Sequence, residues 1–271
     1  MPKINHDYSS IKEDERHWQD RQGGSLQVQA YERPGTQVVF HQQFERVFDA
    51  LQVGSGMRLL DVGCGAGLFL AWLSPRVQAE CHGIDLSPNS IEMATRANAT
   101  LILTAGDAEA LPYEDESFQR ISCNGAGHHL LDFRSALREM YRVLIPGGIV
   151  VFYEPTASPF SNALRGLFLQ DDKYESPADL AHKDQFTSES VRRLLAEVGF
   201  IDITTSFHDF LAYPLSGMYL NLPLGRSRTT MKFLTQLESK LERLPALKIL
   251  FDLFTWRFLV VATKPLTVAD G

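Results

Sequence analysis

The segment Arg58–Leu73, RLLDVGCGAGLFLAWL, restricts the fold of this chain more than any other stretch. Leu59, Leu60 and Val62 predict a short buried strand, and Leu68, Phe69, Leu70, Trp72 and Leu73 predict the buried face of a helix. Between them stand Gly63, Gly65 and Gly67. Glycine tolerates positive φ and, lacking a Cβ, lets a ligand lie against the backbone. The helix that follows presents amides with no intrahelical acceptor. Strand, glycine turn and helix together make a nucleotide-sized cradle at the carboxyl end of a strand. The same glycines also fit a plain tight turn, so other parts of the chain must discriminate. Dinucleotide sites space their glycines G-x-G-x-x-G, whereas here they alternate, with Asp61 two residues before the first.

Composition narrows the classes. A chain of 271 residues holds one large α/β domain with insertions, or two small ones. Hydrophobic content of 44% and charged content of 22% are those of an ordinary globular protein. A net charge of −7 argues against a nucleic-acid partner, which calls for a basic face. The N-terminal segment MPKINHDYSSIKEDERHWQD lacks the apolar core of a signal peptide, and no apolar run reaches the roughly 20 residues of a spanning helix, so the expected location is cytoplasmic. Cys64, Cys81 and Cys123 show no C-x-x-C spacing, so no metal is expected. Cys64, inside the glycine turn, reads as a small filler.

Residues 1–35 are polar and broken by Gly23-Gly24 and Pro34-Gly35, and predict an arm or lid, partly helical. Tyr8, His17, Trp18 and Tyr31 either anchor that arm by packing or close over an acceptor pocket. Val38, Val39, Phe40, Phe44, Val47, Phe48 and Leu51 recur at helical spacing. Glu80–Leu86 reads as a second strand ending in Asp85. An acid there accepts hydrogen bonds from ribose hydroxyls in doubly wound folds; alternatively it caps the helix that Ser87-Pro88 begins. Further strands are predicted at Leu101–Ala105, Phe118–Cys123 and Ile149–Tyr153, the last after a turn at Pro146-Gly147-Gly148.

The order of four motifs, DVGCGAG, the acid of ECHGIDL, GDAEALPYEDESF and RVLIPGGIVVFYEP, resembles the class I S-adenosylmethionine (SAM) dependent methyltransferases over residues 55–155. The group it resembles is the ubiquinone-biosynthesis-like one, methyltransferase type 11. The resemblance implies an α/β fold, a doubly wound Rossmann-like sheet of seven strands, mostly parallel with the last antiparallel. Strands six and seven would be Ile201–Phe207 and Arg257–Thr263, with a helix over Phe186–Val198 capped at Thr187 or Ser188. Domain boundaries follow: an arm over 1–35, then a methyltransferase domain over 36–271 with insertions at 156–185 and 208–255. The implied cofactor is SAM, with Asp85 on the ribose and Asp107 on the adenine amine. Asp61, Gly63, Cys64, Gly65, Gly67, Leu86, Ala108 and Asn124 complete the expected cofactor contacts. One departure is Gln119, where the family carries an acid after the phenylalanine of strand four; it bears on strand packing more than on chemistry.

The resemblance implies methyl transfer to a small-molecule acceptor, through an oxygen or carbon nucleophile of an apolar, lipid-linked or secondary-metabolite substrate. The alternative is a SAM-binding regulatory or scaffolding protein without catalysis. Asn124-Gly125-Ala126-Gly127 stands where base-amino methylases carry N/D-P-P-Y/F, which argues against nucleic-acid N-methylation. His129, and after it His128, are the candidate general bases, because histidine titrates near neutral pH; either also fits a packing role. Tyr153 and Glu154, with Tyr8 and Trp18 from the arm, are candidate acceptor contacts. Between Arg226 and Leu250, Arg226, Arg228, Lys232, Lys240, Arg243 and Lys248 face only Glu238 and Glu242. Phe233, Leu234, Leu237, Leu241 and Leu244 predict one apolar helical face, and Ala246–Phe254 a second apolar piece after Pro245. Such a pair packs on the domain, covers an apolar acceptor, or rests peripherally on an anionic membrane through 226–254.

Overall fold

A computed structural model describes residues 8–156, 176–177, 186–216, 223–244 and 254–266. Most of the 156–185 insertion, and the second apolar piece but for Phe254, lie outside the described residues. The strands are β1 (Arg58–Val62), β2 (Glu80–Asp85), β3 (Ile102–Ala105), β4 (Phe118–Asn124), β5 (Leu144–Pro155), β6 (Ile201–His208) and β7 (Arg257–Thr263). They form one sheet in the order β3-β2-β1-β4-β5-β7-β6. The pairs from β3 to β5 are parallel, and β7 runs antiparallel to both β5 and β6.

Both faces of this sheet are covered, which is what continuous apolar strands require. Leu60 and Val62 of β1 face one core with Met140 and Phe152, while Leu59 faces the other with Phe44 and Trp72. The helices, in chain order, are α1 (Tyr8–Trp18), α2 (Gly24–Tyr31), α3 (Pro34–Leu51), α4 (Leu68–Leu73), α5 (Pro88–Ala97), α6 (Phe133–Val143), α7 (Ser188–Val198), α8 (Ala212–Leu215) and α9 (Arg228–Leu241). Side-chain caps fix four of their starts: Ser87, Asp132, Thr187 and Ser227 each accept from an amide three residues on. At Thr187 the cap is reciprocal with Ser190.

Two local readings change. Pro146-Gly147-Gly148 is not a turn before β5 but lies inside it, where the register against β4 shifts between Phe118 and Arg120. Gln119 bears on the sheet, as expected, its Oε1 accepting from the Arg58 amide at 2.7 Å. The expected apolar face of α9 is buried only in part: Leu234, Leu237 and Leu241 are half-buried, Leu234 against the cluster of Val39, Tyr213 and Trp256. Met231, Thr235 and Glu238 are buried, while Phe233 is 63% and nearby Leu244 is 48% exposed. Polar partners decide this rotation. Glu238 accepts from the amides of Phe210 and Ala212 at 2.8 and 2.9 Å, and Gln42 donates to Ser239 at 2.9 Å. Arg46 of α3 pairs with Glu242 at 2.8 Å and with buried Asp209 at 2.6 Å.

Candidate functional site

Strand order reverses between β1 and β4, the place where an open α/β sheet leaves a crevice at its carboxyl edge. The turn after β1 fills that position with Gly63, Gly65 and Gly67 at φ of +70°, +52° and +71°. A Cβ at Gly63 would collide with Ala126, one at Gly65 would come within 2.6 Å of Gln27 Oε1, and one at Gly67 within 2.9 Å of Ala94. Positive φ favours glycine at all three positions, and at Gly63 and Gly67 a close neighbour does so as well.

A cavity of about 230 Å³ opens beside this turn. Its floor comes from the strand ends: Gly63 and Gly65, Asp85 and Leu86, Gly106, Asp107 and Ala108, and Asn124 to Ala126. Its roof comes from the arm. Residues 8–31 are helical throughout, α1 passing through a π turn at Gln19–Gly23 into α2. Lys12, Glu15, Trp18 and Gln27 face the cavity from there. The arm is fastened at both ends of the roof. Lys12 Nζ lies 2.5 Å from Asp107 and from Glu109, and Asp20 accepts from Ser87 Oγ at 2.6 Å. Residues 8–31 thus form a helical roof over the cavity.

The aspartates occupy different depths. Asp85 Oδ2 accepts from the Gly65 amide at 2.8 Å and Oδ1 from the Ser87 amide at 2.9 Å. It shapes the glycine turn and the start of α5 while lining the cavity, so the two sequence alternatives coincide. Burial raises its carboxyl above the ordinary range, against the lowering effect of those two amides. Asp107 lines the cavity one strand further out, with Oδ1 accepting from the Glu109 amide at 2.9 Å. Asp61 does not reach the cavity. It lies beneath the turn, accepting from Ser122 Oγ at 2.6 Å, and burial pushes its carboxyl up to about 7. Cys64 and Gly67 also stay off the lining; Cys64 is buried, as are Cys81 and Cys123, and all three are free thiols.

Gly127–His129 forms a short 3₁₀ turn beyond β4. His129 lines the cavity, with its ring stacked against Trp18 at a centroid distance of 6.3 Å. Its Nδ1 lies 3.0 Å from Ser176 Oγ and 3.3 Å from Glu15 Oε1. His128 is turned the other way, with Nδ1 2.7 Å from Glu154 Oε2. Glu154 is fully buried and also accepts from the amides of Ala126 and Gly127 at 3.1 and 2.8 Å. It therefore holds the His128 loop and is not an acceptor contact. Tyr153 departs from expectation too. It is buried on the opposite face of the sheet, with its hydroxyl 3.4 Å from Arg46 Nη1. Tyr8 stays at the outer end of α1, 45% exposed and off the lining. Of the four expected acceptor contacts only Trp18 lines the cavity.

Lys12, Glu15, Gln19, Gly24, Leu26 and Gln27 are the lining residues that size-based reading of the arm misses. For the first three the signal is spacing: with Tyr8, positions 12, 15 and 19 fall on one helical stripe.

The floor suits an adenosine-like ligand, with backbone at the glycine turn, Asp85 at the end of β2 and Asp107 past the end of β3. A methyltransferase-domain family matches residues 60–152. Demethylmenaquinone methyltransferase of Staphylococcus aureus (strain JH9) is 31% identical over 179 residues, covering 59% of this chain and 74% of that one. Among solved structures, phosphoethanolamine N-methyltransferase 2 of Haemonchus contortus in complex with SAM aligns with a TM-score of 0.55 at 19% identity, over 83% of this chain and 52% of that one. Geranyl diphosphate C-methyltransferase of Streptomyces coelicolor A3(2) aligns with a TM-score of 0.55 at 18% identity, over 83% and 76%.

Proposed function

This chain belongs to the class I SAM-dependent methyltransferases, in the methyltransferase type 11 group, and from that premise we propose that it methylates an oxygen or carbon nucleophile of a small apolar acceptor. The observation that carries this reading is the position of His129, in the wall of the same cavity whose floor holds Asp85 and Asp107. SAM supplies a methyl group already activated on a sulfonium, so the protein's work is binding, alignment and proton handling. Asp85 would hold the ribose hydroxyls through lone pairs beyond those given to Gly65 and Ser87, and Asp107 the adenine amine. The helical roof would shield the reacting groups from water on the side of the arm. Leu26, Leu130, Leu131 and Trp18 give that end of the cavity an apolar wall, which supports an acceptor of low polarity. The relative from Staphylococcus, named for demethylmenaquinone, points the same way.

His129 is the proposed base for an acceptor that must lose a proton. His129→Ala then lowers turnover by about two to four orders of magnitude, with SAM affinity nearly unchanged. Turnover is read as S-adenosylhomocysteine released with a panel of phenolic, enolic and quinol acceptors. Near-full turnover in that variant reduces His129 to packing and points to an acceptor that arrives ionised.

We further propose that α9 meets an anionic membrane surface at the periphery. Exposed Phe233 and Leu244 neighbour Lys232, Lys240 and Arg243 in sequence, and apolar burial plus charge attraction is how such helices bind. No helix among the described residues is long and apolar enough to cross a membrane.

A further inference from the structure

The arm does more than roof the cavity. Glu15 is 2% exposed, on a helix whose other acids, Glu13 and Asp14, face outward. A carboxylate taken out of water needs partners to offset the loss of hydration. Gln19 Nε2 donates to Glu15 Oε1 at 2.8 Å, and the same oxygen lies 3.3 Å from His129 Nδ1. Trp18, one turn along the same helix, lies against the imidazole. The helix is pinned by Lys12 on Asp107 and Glu109, so the carboxylate is brought to the ring by the element that closes over the cofactor floor.

We propose that Glu15 is the positioning residue for His129, supplied to the sheet by the N-terminal helix of the same chain, so that the base is complete only when the roof is closed. This rests on the reading of His129 as the base. With Nδ1 protonated on the side of Ser176 and Glu15, the basic lone pair of the neutral ring is on Nε2. An acceptor hydroxyl would give its proton to Nε2 as its oxygen takes the methyl group, the S–CH3 bond breaking so that S-adenosylhomocysteine leaves, and the imidazolium would pass the proton on to water. Glu15 stabilises the imidazolium while it lasts. Among the described residues, the groups facing the ring include His128, its centroid 4.1 Å away and itself held by Glu154, Asp85 across the cavity floor, whose carboxyl feels the charge of His129, and the Ser176 hydroxyl. Glu15 is in ion-pair contact with His129.

The test is an imidazole ¹⁵N titration of the full-length protein, with the His129 signal assigned by its loss in His129→Gln. Wild type should show the Nδ1–H tautomer when neutral. Glu15→Gln should lower the His129 midpoint by about one pH unit, a tenfold loss of basicity, as removal of an adjacent opposite charge does. Glu15→Asp should restore part of it, and Glu13→Gln on the outer face of the same helix should leave it in place. An unmoved His129 midpoint in Glu15→Gln overturns the proposal. If Glu15→Gln does not fold, an Nε2–H tautomer in wild type overturns it equally. Release of S-adenosylhomocysteine by wild type tests the enzymatic reading separately, so a failure of one is not mistaken for a failure of the other.

Discussion

Burial separates three aspartates that look alike in the sequence. Asp107 keeps a side chain 34% exposed and a lysine partner, Asp85 is enclosed by backbone amides, and Asp61 is buried with one hydroxyl donor. For Asp61 the consequence is a pH dependence of stability. Burial, with a smaller contribution from the Asp85 charge, lifts its carboxyl from 3.8 to about 7 in the folded state. The native state then binds a proton more tightly than the unfolded chain, so stability is highest at low pH and is lost as pH rises through the range from about 4 to 7. Asp61→Asn keeps a partner for Ser122 and removes the titration. Between pH 5 and pH 8, wild type should lose about 2 kcal/mol relative to Asp61→Asn, read from paired denaturant melts. A constant difference between the two proteins at both pH values would show that Asp61 is ionised throughout. The motif resemblance places Asp61 among cofactor contacts because sequence spacing records order along the chain, and depth beneath the turn is set by Ser122, sixty-one residues away.

At the scale of elements, the strands were legible and one helical face was so only in part. β1, β2, β3 and β4 come within a residue or two of the expected bounds, because apolar runs between breakers leave few other readings, whereas β6 and β7 lie where the family resemblance implied them. The glycine turn was legible for the same reason: three alternating glycines between strand and helix have few other uses. The polar part of the buried face of α9 escaped because hydrophobic spacing weighs Phe233 and Leu244 above Glu238, whereas two orphan amides at Phe210 and Ala212 and the guanidinium of Arg46 draw acids inward. The cavity-facing side of α1 was missed for the opposite reason, since its lining residues Lys12, Glu15 and Gln19 are polar, whereas the arm was weighed by its large side chains alone. The exposed face of α9 carries its own prediction. The protein should co-sediment with vesicles of anionic phospholipid at low salt and be released at high salt, and Phe233→Ser should weaken that binding severalfold. Protein that stays in the supernatant at low salt removes the membrane contact and leaves an acceptor delivered through water.

For the whole molecule, the account holds that one cavity, floored by four strand ends and roofed by the N-terminal helix, is where the cofactor binds and where the acceptor meets it. The cofactor half was readable because its backbone and acids are fixed by the sheet's carboxyl edge, common to the fold. The acceptor half was not, since it is assembled from the arm and from the loop after β4, whose partners Glu15, Ser176 and Glu154 are far apart in the chain. The most direct measurement is a calorimetric titration of the protein with S-adenosylhomocysteine, beside Asp85→Ala and beside NAD as competitor for the same fold logic. Saturable binding of S-adenosylhomocysteine, weakened by about 1.5–3 kcal/mol in Asp85→Ala and not displaced by NAD, is the predicted result. Unchanged affinity in Asp85→Ala, or equal binding of NAD, would contradict the assignment of this cavity.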